Sequence, residues 1–173
     1  MDTVELTAVM TKISLNNHFH GVIACDQLPK EPISSIPTGM IINTDPSHRG
    51  GEHWLAVYIA ADRVAYFFDS FGNRVDHYRF PKPIYTFLRK MCKEVQSSTK
   101  QVQAYTEITC GQHCVYFLYH MYKGFSYEQF LAKYSDNLSL NDDMVQRFVR
   151  KLQPRECVCN NLTCIQFSKP FLQ

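Results

Sequence analysis

The chain has 173 residues, enough for one domain with a sizeable core. Its apolar content of 45% with 20% charged residues is ordinary for a globular protein, and a formal net charge of +2 does not demand a nucleic-acid partner. The first residues, with Asp2, Glu5 and Lys12, lack the apolar h-region of a secretory signal, and no apolar run is long enough to span a bilayer.

Leu6, Val9, Met10 and Ile13 recur at helical spacing and predict an amphipathic helix over residues 3 to 13. Residues 16 to 37, rich in Asn, Pro, Ser and His, read as loop with at most a short edge strand. Met40 to Asn43 fits a buried strand. Trp54 to Ala60 and Val64 to Phe68 are dense in β-branched and aromatic residues and predict a hairpin turning at Ala61, Asp62 and Arg63. A turn centred near residue 61 or 62 pairs positions whose numbers sum to about 122 or 123. His53 and Asp69 are therefore expected side by side at the open end of this hairpin.

Ile84, Phe87, Leu88, Met91 and Val95 mark a helix starting near Pro83, closed by the polar run Gln96 to Gln101, with a short strand expected around Val102 to Tyr105. The next helix begins at Cys110, with Thr109 as N-cap and Gly124 as its stop. Ser126 and Gln129 form a capping-box pattern for a short helix to about Tyr134. Asn141 is expected to cap a last helix, with Asp142 and Asp143 in its first turn and Pro154 beyond its end. Helices around a small mixed or antiparallel sheet give an α+β fold in a single domain over residues 1–173, with residues 156–173 as a cysteine-containing tail.

A thiol at the mouth of an apolar helix meets unpaired N–H groups and the positive end of the helix dipole, which favour the thiolate. With His53 and Asp69 it forms the residue set of nucleophilic catalysis. His113 is closer in sequence to Cys110, but three positions along the same helix it need not face the thiol, and His53 is preferred as base. Seven cysteines, an odd number, point to reduced thiols in an intracellular compartment. Cys157, Cys159 and Cys164 lack paired metal-binding arms and read as a tail with free thiols, so no metal is expected. Six basic residues against Glu94 alone between Arg79 and Lys100 form a local basic stretch, by default a solvated helix face.

Several segments together resemble the adenovirus-type cysteine endopeptidases, the sister group of the ubiquitin-like-protein proteases. They are Phe19-His20-Gly21-Val22, Ile42-Asn43-Thr44, Gly50-Gly51-Glu52-His53-Trp54, Phe68-Asp69-Ser70-Phe71-Gly72, Gln101-Val102-Gln103, and Cys110-Gly111 with Cys114. The resemblance runs from about Phe19 to Tyr119. It implies Cys110 as nucleophile, His53 as general base and acid, Asp69 as the residue orienting the imidazole, and Gln103 as an oxyanion-hole donor. It also implies that Cys92 could take a disulfide to an activating peptide, and that DNA could act as cofactor through Arg89, Lys90 and Lys93. The residue-level alternative for Cys92 is a buried packing thiol on its helix.

Substrates implied by the resemblance are viral or virus-like precursor proteins cut at glycine-containing sites during particle maturation, in the host nucleus and virion if the chain is viral. Asp69 stands where the adenoviral enzymes usually carry glutamate and follows the ubiquitin-like-protein proteases instead. A related virus and a virus-like DNA transposon both fit as origin. Two alternatives stay open: a protease of ubiquitin or ubiquitin-like modifiers, and a non-catalytic DNA-binding or scaffold protein on a degenerate protease fold.

Overall fold

A computed structural model describes residues 1–14 and 18–153. The elements are α1 (Thr3–Ile13), β1 (His18–Ala24), β2 (Thr38–Asn43), β3 (Trp54–Ile59), β4 (Val64–Phe68), α2 (Lys82–Met91), β5 (Glu94–Ser97), α3 (Cys110–Tyr122), α4 (Tyr127–Leu131) and α5 (Leu138–Leu152). The strands form one five-stranded sheet in chain order. Its centre, β2 to β4, is antiparallel, while β1 and β5 join the edges in parallel, so the sheet is mixed and the α+β expectation holds.

The central strands are apolar on both faces, and alternation sorts their side chains into two cores. Ile41, Ala56 and Phe68 point to one face, covered by α1, α3, α4 and α5. Met40, Ile42, Leu55, Val57 and Phe67 point to the other, covered by Ile84, Phe87, Leu88 and Met91 of α2. The result is a three-layer sandwich with α3 packed across β3. Apolar on nearly every side, α3 is buried along its length, as a helix without a polar face must be. Phe68, fully buried, is stacked on Phe117 at 5.1 Å and meets Phe130 edge-on at 5.2 Å, which anchors the end of β4.

The segment read as loop with at most a short edge strand carries β1, an edge strand of 7 residues whose polar His18 and His20 and register shift between Phe19 and Gly21 weaken its apolar alternation. Four expectations change. Val95 belongs to β5, not to α2, which closes at Cys92. No strand forms over 102–105. The hairpin register sums to 124, as in Tyr58 opposite Tyr66, because Arg63 adopts a left-handed φ of 65° and makes a three-residue loop of 61–63. That register places Asp69 opposite Leu55, so His53 reaches it diagonally. Finally, α5 starts a turn earlier than expected. Asn137 caps it, accepting from the Leu140 N–H at 3.2 Å, which moves Asn141 and Asp142 into the helix, both 2% exposed.

Beyond β4 the chain turns sharply at Asp69–Gly72, where the Gly72 N–H donates to the Asp69 carbonyl at 3.0 Å. Gly72 has φ +75°, and a Cβ there would lie 2.7–2.8 Å from backbone atoms of residues 99–101. Gly124, with φ +79° and open space around its Cβ position, carries only the conformational part of that penalty. Gly72→Ala is expected to destabilise the protein by about 2–4 kcal/mol and Gly124→Ala by about 1 kcal/mol, read as midpoint shifts in urea unfolding. Equal effects would contradict the close approach.

Candidate active site

Asp69 follows the last residue of β4, and His53 precedes the first of β3. Both are therefore held at one end of the sheet by the hairpin, and the His53 carbonyl extends the ladder by accepting from the Thr44 N–H at 2.9 Å. Asp69 is 1% exposed, and its carboxylate is fully partnered. Oδ1 accepts from His53 Nε2 at 2.6 Å and from the Phe71 N–H at 3.2 Å. Oδ2 accepts from the Asn73 N–H at 3.0 Å and from Asn73 Nδ2 at 2.7 Å. Burial alone raises a carboxyl pKa, but the bond and charge of His53 and these backbone N–H groups hold Asp69 below its ordinary value.

The ring of His53 is stacked on Phe71 at 5.0 Å, and Phe71 in turn on Tyr105 at 5.3 Å. With Nε2 committed to Asp69, Nδ1 is the ring nitrogen left for the neighbouring Cys110. Desolvation pulls the imidazole pKa down. The bond to Asp69, with the negative charges of Asp69 and Cys110, outweighs it and pushes His53 up to about 9.

Cys110 opens α3, and the mouth of that helix meets the start of β3. A Cβ on Gly111 would sit 3.4 Å from Trp54 Cδ1, and the Trp54 indole N–H donates to the Met1 carbonyl at 3.1 Å. Burial raises the Cys110 thiol, but the charge of the neighbouring His53, helped by the N–H groups of Trp54 and Gly111, brings it below its ordinary value. Cys114, one turn along and fully buried, is pushed well above an ordinary thiol and stays protonated.

Gln103 is 1% exposed. Its orientation is forced: Nε2 donates to the Glu107 carbonyl at 2.6 Å, which only the amide nitrogen can do, and Oε1 accepts from the Ser70 hydroxyl at 2.6 Å. The Ser70 carbonyl also accepts from the N–H groups of Val102 (2.9 Å) and Gln103 (3.1 Å). The residue after Asp69 thereby staples the Gln103 loop to the end of β4. A second Nε2 hydrogen remains outside the hydrogen bonds of the described residues.

The remaining sequence candidates lie elsewhere. Arg89 and Lys90 are exposed on the last turn of α2, and Lys93 is exposed just beyond it. Lys90 Nζ donates to the Lys30 carbonyl at 2.9 Å. Cys92 is half-buried at the C-cap of α2 against the second core, and burial pushes its thiol up to about 11. His113 is fully buried and bonded to Asp142 and Tyr134, away from Cys110. Thr109 occupies the N-cap position, but its hydroxyl bonds Asp142 instead of its own helix. Cys157, Cys159 and Cys164 lie outside the described residues. Ser70 and Phe71 stand in the Phe68–Gly72 segment with no role assigned from sequence, and Asn73 was not singled out; an Asn directly after a turn opened by Asp69 was the available signal. No group of three or more His, Cys, Asp or Glu suited to a metal ion exists among the described residues. Nor is any helix among them long and apolar enough to cross a membrane.

An imidazole oriented by a buried carboxylate beside a thiol at a helix start is an arrangement suited to nucleophilic catalysis. The comparisons show the family. Residues 19–167 match the family described as adenovirus endoprotease, and the chain belongs to that family. It is 30% identical over 135 residues to the protease of ovine adenovirus D serotype 7, covering 69% of this chain and 65% of that one. It is 38% identical over 92 residues to the protease of porcine adenovirus A serotype 3, covering 45% and 44%. The chain thus spans less than two thirds of the length of these relatives. Among solved structures it resembles an ASFV protease, with a TM-score of 0.60 at 15% identity over 88% of this chain and 67% of that one. It also resembles ChlaDub1 from Chlamydia trachomatis, with a TM-score of 0.50 at 17% identity over 86% and 75%. At such identities these likenesses concern the fold.

The influence of His53 on Cys110 has a readable pH signature. Alkylation of Cys110 by iodoacetamide, followed by intact mass, is expected to rise with pH through a midpoint below the ordinary thiol value of 9.0. In His53→Ala the burial penalty stays and the compensating charge is gone, so the midpoint moves above it. The rate at pH 7 then falls by about tenfold or more. An unchanged midpoint would mean that His53 does not hold the thiolate.

Proposed function

We propose that the chain is a cysteine endopeptidase that cleaves viral or virus-like precursor proteins. The observation that carries this reading is the His53 imidazole held at 2.6 Å from the buried Asp69 carboxylate, with its other ring nitrogen left for the neighbouring Cys110. In this reading the Cys110 thiolate attacks the scissile carbonyl, and the carbonyl oxygen takes up the negative charge. Gln103 Nε2 and the Cys110 backbone N–H stabilise that oxyanion. The imidazolium of His53 gives its proton to the leaving amine. The neutral ring then removes a proton from the water that releases the acyl group. Asp69 keeps the ring in one orientation and offsets its charge throughout.

Family membership supports protein substrates, and the resemblance in sequence supports glycine near the cleaved bond. Two recesses flank the site. One of about 120 Å³ is lined by Glu52, His53, Phe71, Asn73 and Arg79. One of about 460 Å³ is bordered by Gly50, Gly51, Trp54 and Asn43. An activating peptide linked through Cys92, and DNA held by Arg89, Lys90 and Lys93, are the accessory partners of this reading. The exposure of the three basic side chains supports the second. The raised thiol of Cys92 argues for slow exchange at the first, since the thiolate is the reactive form. Aspartate at position 69 favours one second reading, a protease of ubiquitin-like modifiers.

Purified protein is expected to hydrolyse Gly-rich capsid-precursor peptides in preference to tagged ubiquitin-like modifiers. Gln103→Ala is expected to lower kcat by about 10²–10³. Cys110→Ala is expected to abolish turnover. Exclusive cleavage of the modifiers would move the conclusion to the second reading, and full activity in Cys110→Ala would overturn both.

A further inference from the structure

Between the buried N-terminal part of α5 and the first turn of α3 lies a second acid–imidazole pair, Asp142 and His113, that the chemistry above does not use. Asp142 Oδ1 accepts from the Thr109 hydroxyl and lies 3.0 Å from His113 Nε2, while Oδ2 accepts from the Ala104 N–H at 3.0 Å. His113 Nδ1 is 3.0 Å from the Tyr134 hydroxyl. Its neighbour Asn141 donates to the Val102 carbonyl at 3.2 Å and to the Ser135 carbonyl at 3.0 Å. Asn141 and Asp142 are 2% exposed, Thr109 1% and His113 0%.

These bonds are not scattered. They seize the loop between β5 and α3 at Val102, at Ala104 and at Thr109. The first two flank Gln103, and the third is adjacent to Cys110. The two groups assigned to the oxyanion, the Gln103 amide and the Cys110 N–H, belong to this loop and to the helix it enters. The loop has no ladder of its own to hold it, since no strand forms there. Ser70 fixes Gln103 relative to Asp69. What fixes it relative to Cys110 is α5.

We infer that Asp142 is a positioning residue for the oxyanion hole, setting the spacing between the Gln103 amide and the Cys110 N–H through its simultaneous grip on Ala104 and Thr109. The inference rests on the endopeptidase reading and specifies how its transition-state site is held. A carboxylate suits the task because it accepts several bonds at once, which a neutral side chain of the same size does less well. Burial alone raises its pKa, but the bonds from His113, Thr109 and Ala104 keep it below the ordinary carboxyl value. Its own desolvation is answered by those bonds, so deleting it frees three donors inside the protein.

The test compares two rates in the same full-length protein. Peptide hydrolysis needs the oxyanion hole; alkylation of Cys110 by iodoacetamide builds no oxyanion and reads only the thiolate. Asp142→Ala is expected to lower kcat by about 100-fold with little change in KM, while the alkylation rate stays within about threefold of wild type. Asp142→Asn is expected to recover most of kcat. Its carbonyl oxygen can still accept from Ala104, while its amide donates to Thr109 and His113 through a tautomer shift of the ring. Thr109→Val, which removes one bond without opening a cavity, carries the test if Asp142→Ala does not fold; about a tenfold loss of kcat with normal alkylation is expected. Folded Asp142→Ala or Thr109→Val protein with wild-type kcat would overturn the inference. So would hydrolysis and alkylation falling in parallel, the mark of general loosening. Wild-type protein that neither cleaves peptides nor alkylates selectively at Cys110 would instead overturn the endopeptidase reading beneath it.

Discussion

A carboxylate buried at the end of β4 must find a bonding partner for nearly every lone pair, because an unpaired charge in that position would cost several kcal/mol. Asp69 meets this requirement with four donors from three residues. Each of those donors has a structural consequence. Accepting from the N–H groups of Phe71 and Asn73 curls the chain into the turn in which only Gly72 fits. The same turn presents the Ser70 carbonyl and hydroxyl to the Gln103 loop, and stacks Phe71 on the His53 ring. The remaining bond orients His53 itself. Satisfying one buried charge thereby arranges His53, Asp69 and the Gln103 loop around one point.

The sandwich explains why that point lies where it does. Alternation in β2 to β4 makes both faces apolar, so helices must cover both, and the most apolar helix, α3, takes the central place against β3. Its N-terminus then emerges at the end of the sheet where β3 begins and β4 finishes. A helix N-terminus carries partial positive charge, and a thiol placed there gains N–H contacts that favour its anion. His53 adds a full positive charge beside it. The two effects overcome a desolvation that would otherwise raise the thiol, as it does for Cys114 a turn further into the same helix. Position along one helix separates a thiol whose anion is favoured from a packing residue.

Much of this was legible in the sequence, and the failures have physical causes. The amphipathic α1, the hairpin strands and α3 follow from apolar periodicity, and the meeting of His53 with Asp69 follows from the hairpin that joins them. The hairpin register was off because a three-residue loop over 61–63 centres on Asp62 and pairs Ala60 with Val64; what composition does not reveal is that Arg63, not a glycine, takes the left-handed conformation that closes it. Polar His18 and His20 belong to an edge strand, where one side faces solvent and apolar alternation is weak. Asn141, Asp142 and Asp143 looked like helix-capping residues. The true cap, Asn137, lies one turn upstream, and it is tertiary burial that gives Asn141 and Asp142 their partners. Bonds between residues 38 positions apart, such as Asp142 to Ala104, leave no local pattern to read.

The central claim is that Cys110 acts as a nucleophile, with a covalent acyl intermediate. Rapid mixing with an activated ester of a Gly-rich peptide, acid quench and intact mass, with peptide mapping of the adduct, tests it most directly. The account predicts a transient species heavier by the acyl fragment alone, mapped to Cys110 and absent in Cys110→Ala. Product formed at full rate with no such species, or with the acyl group on another residue, would contradict it.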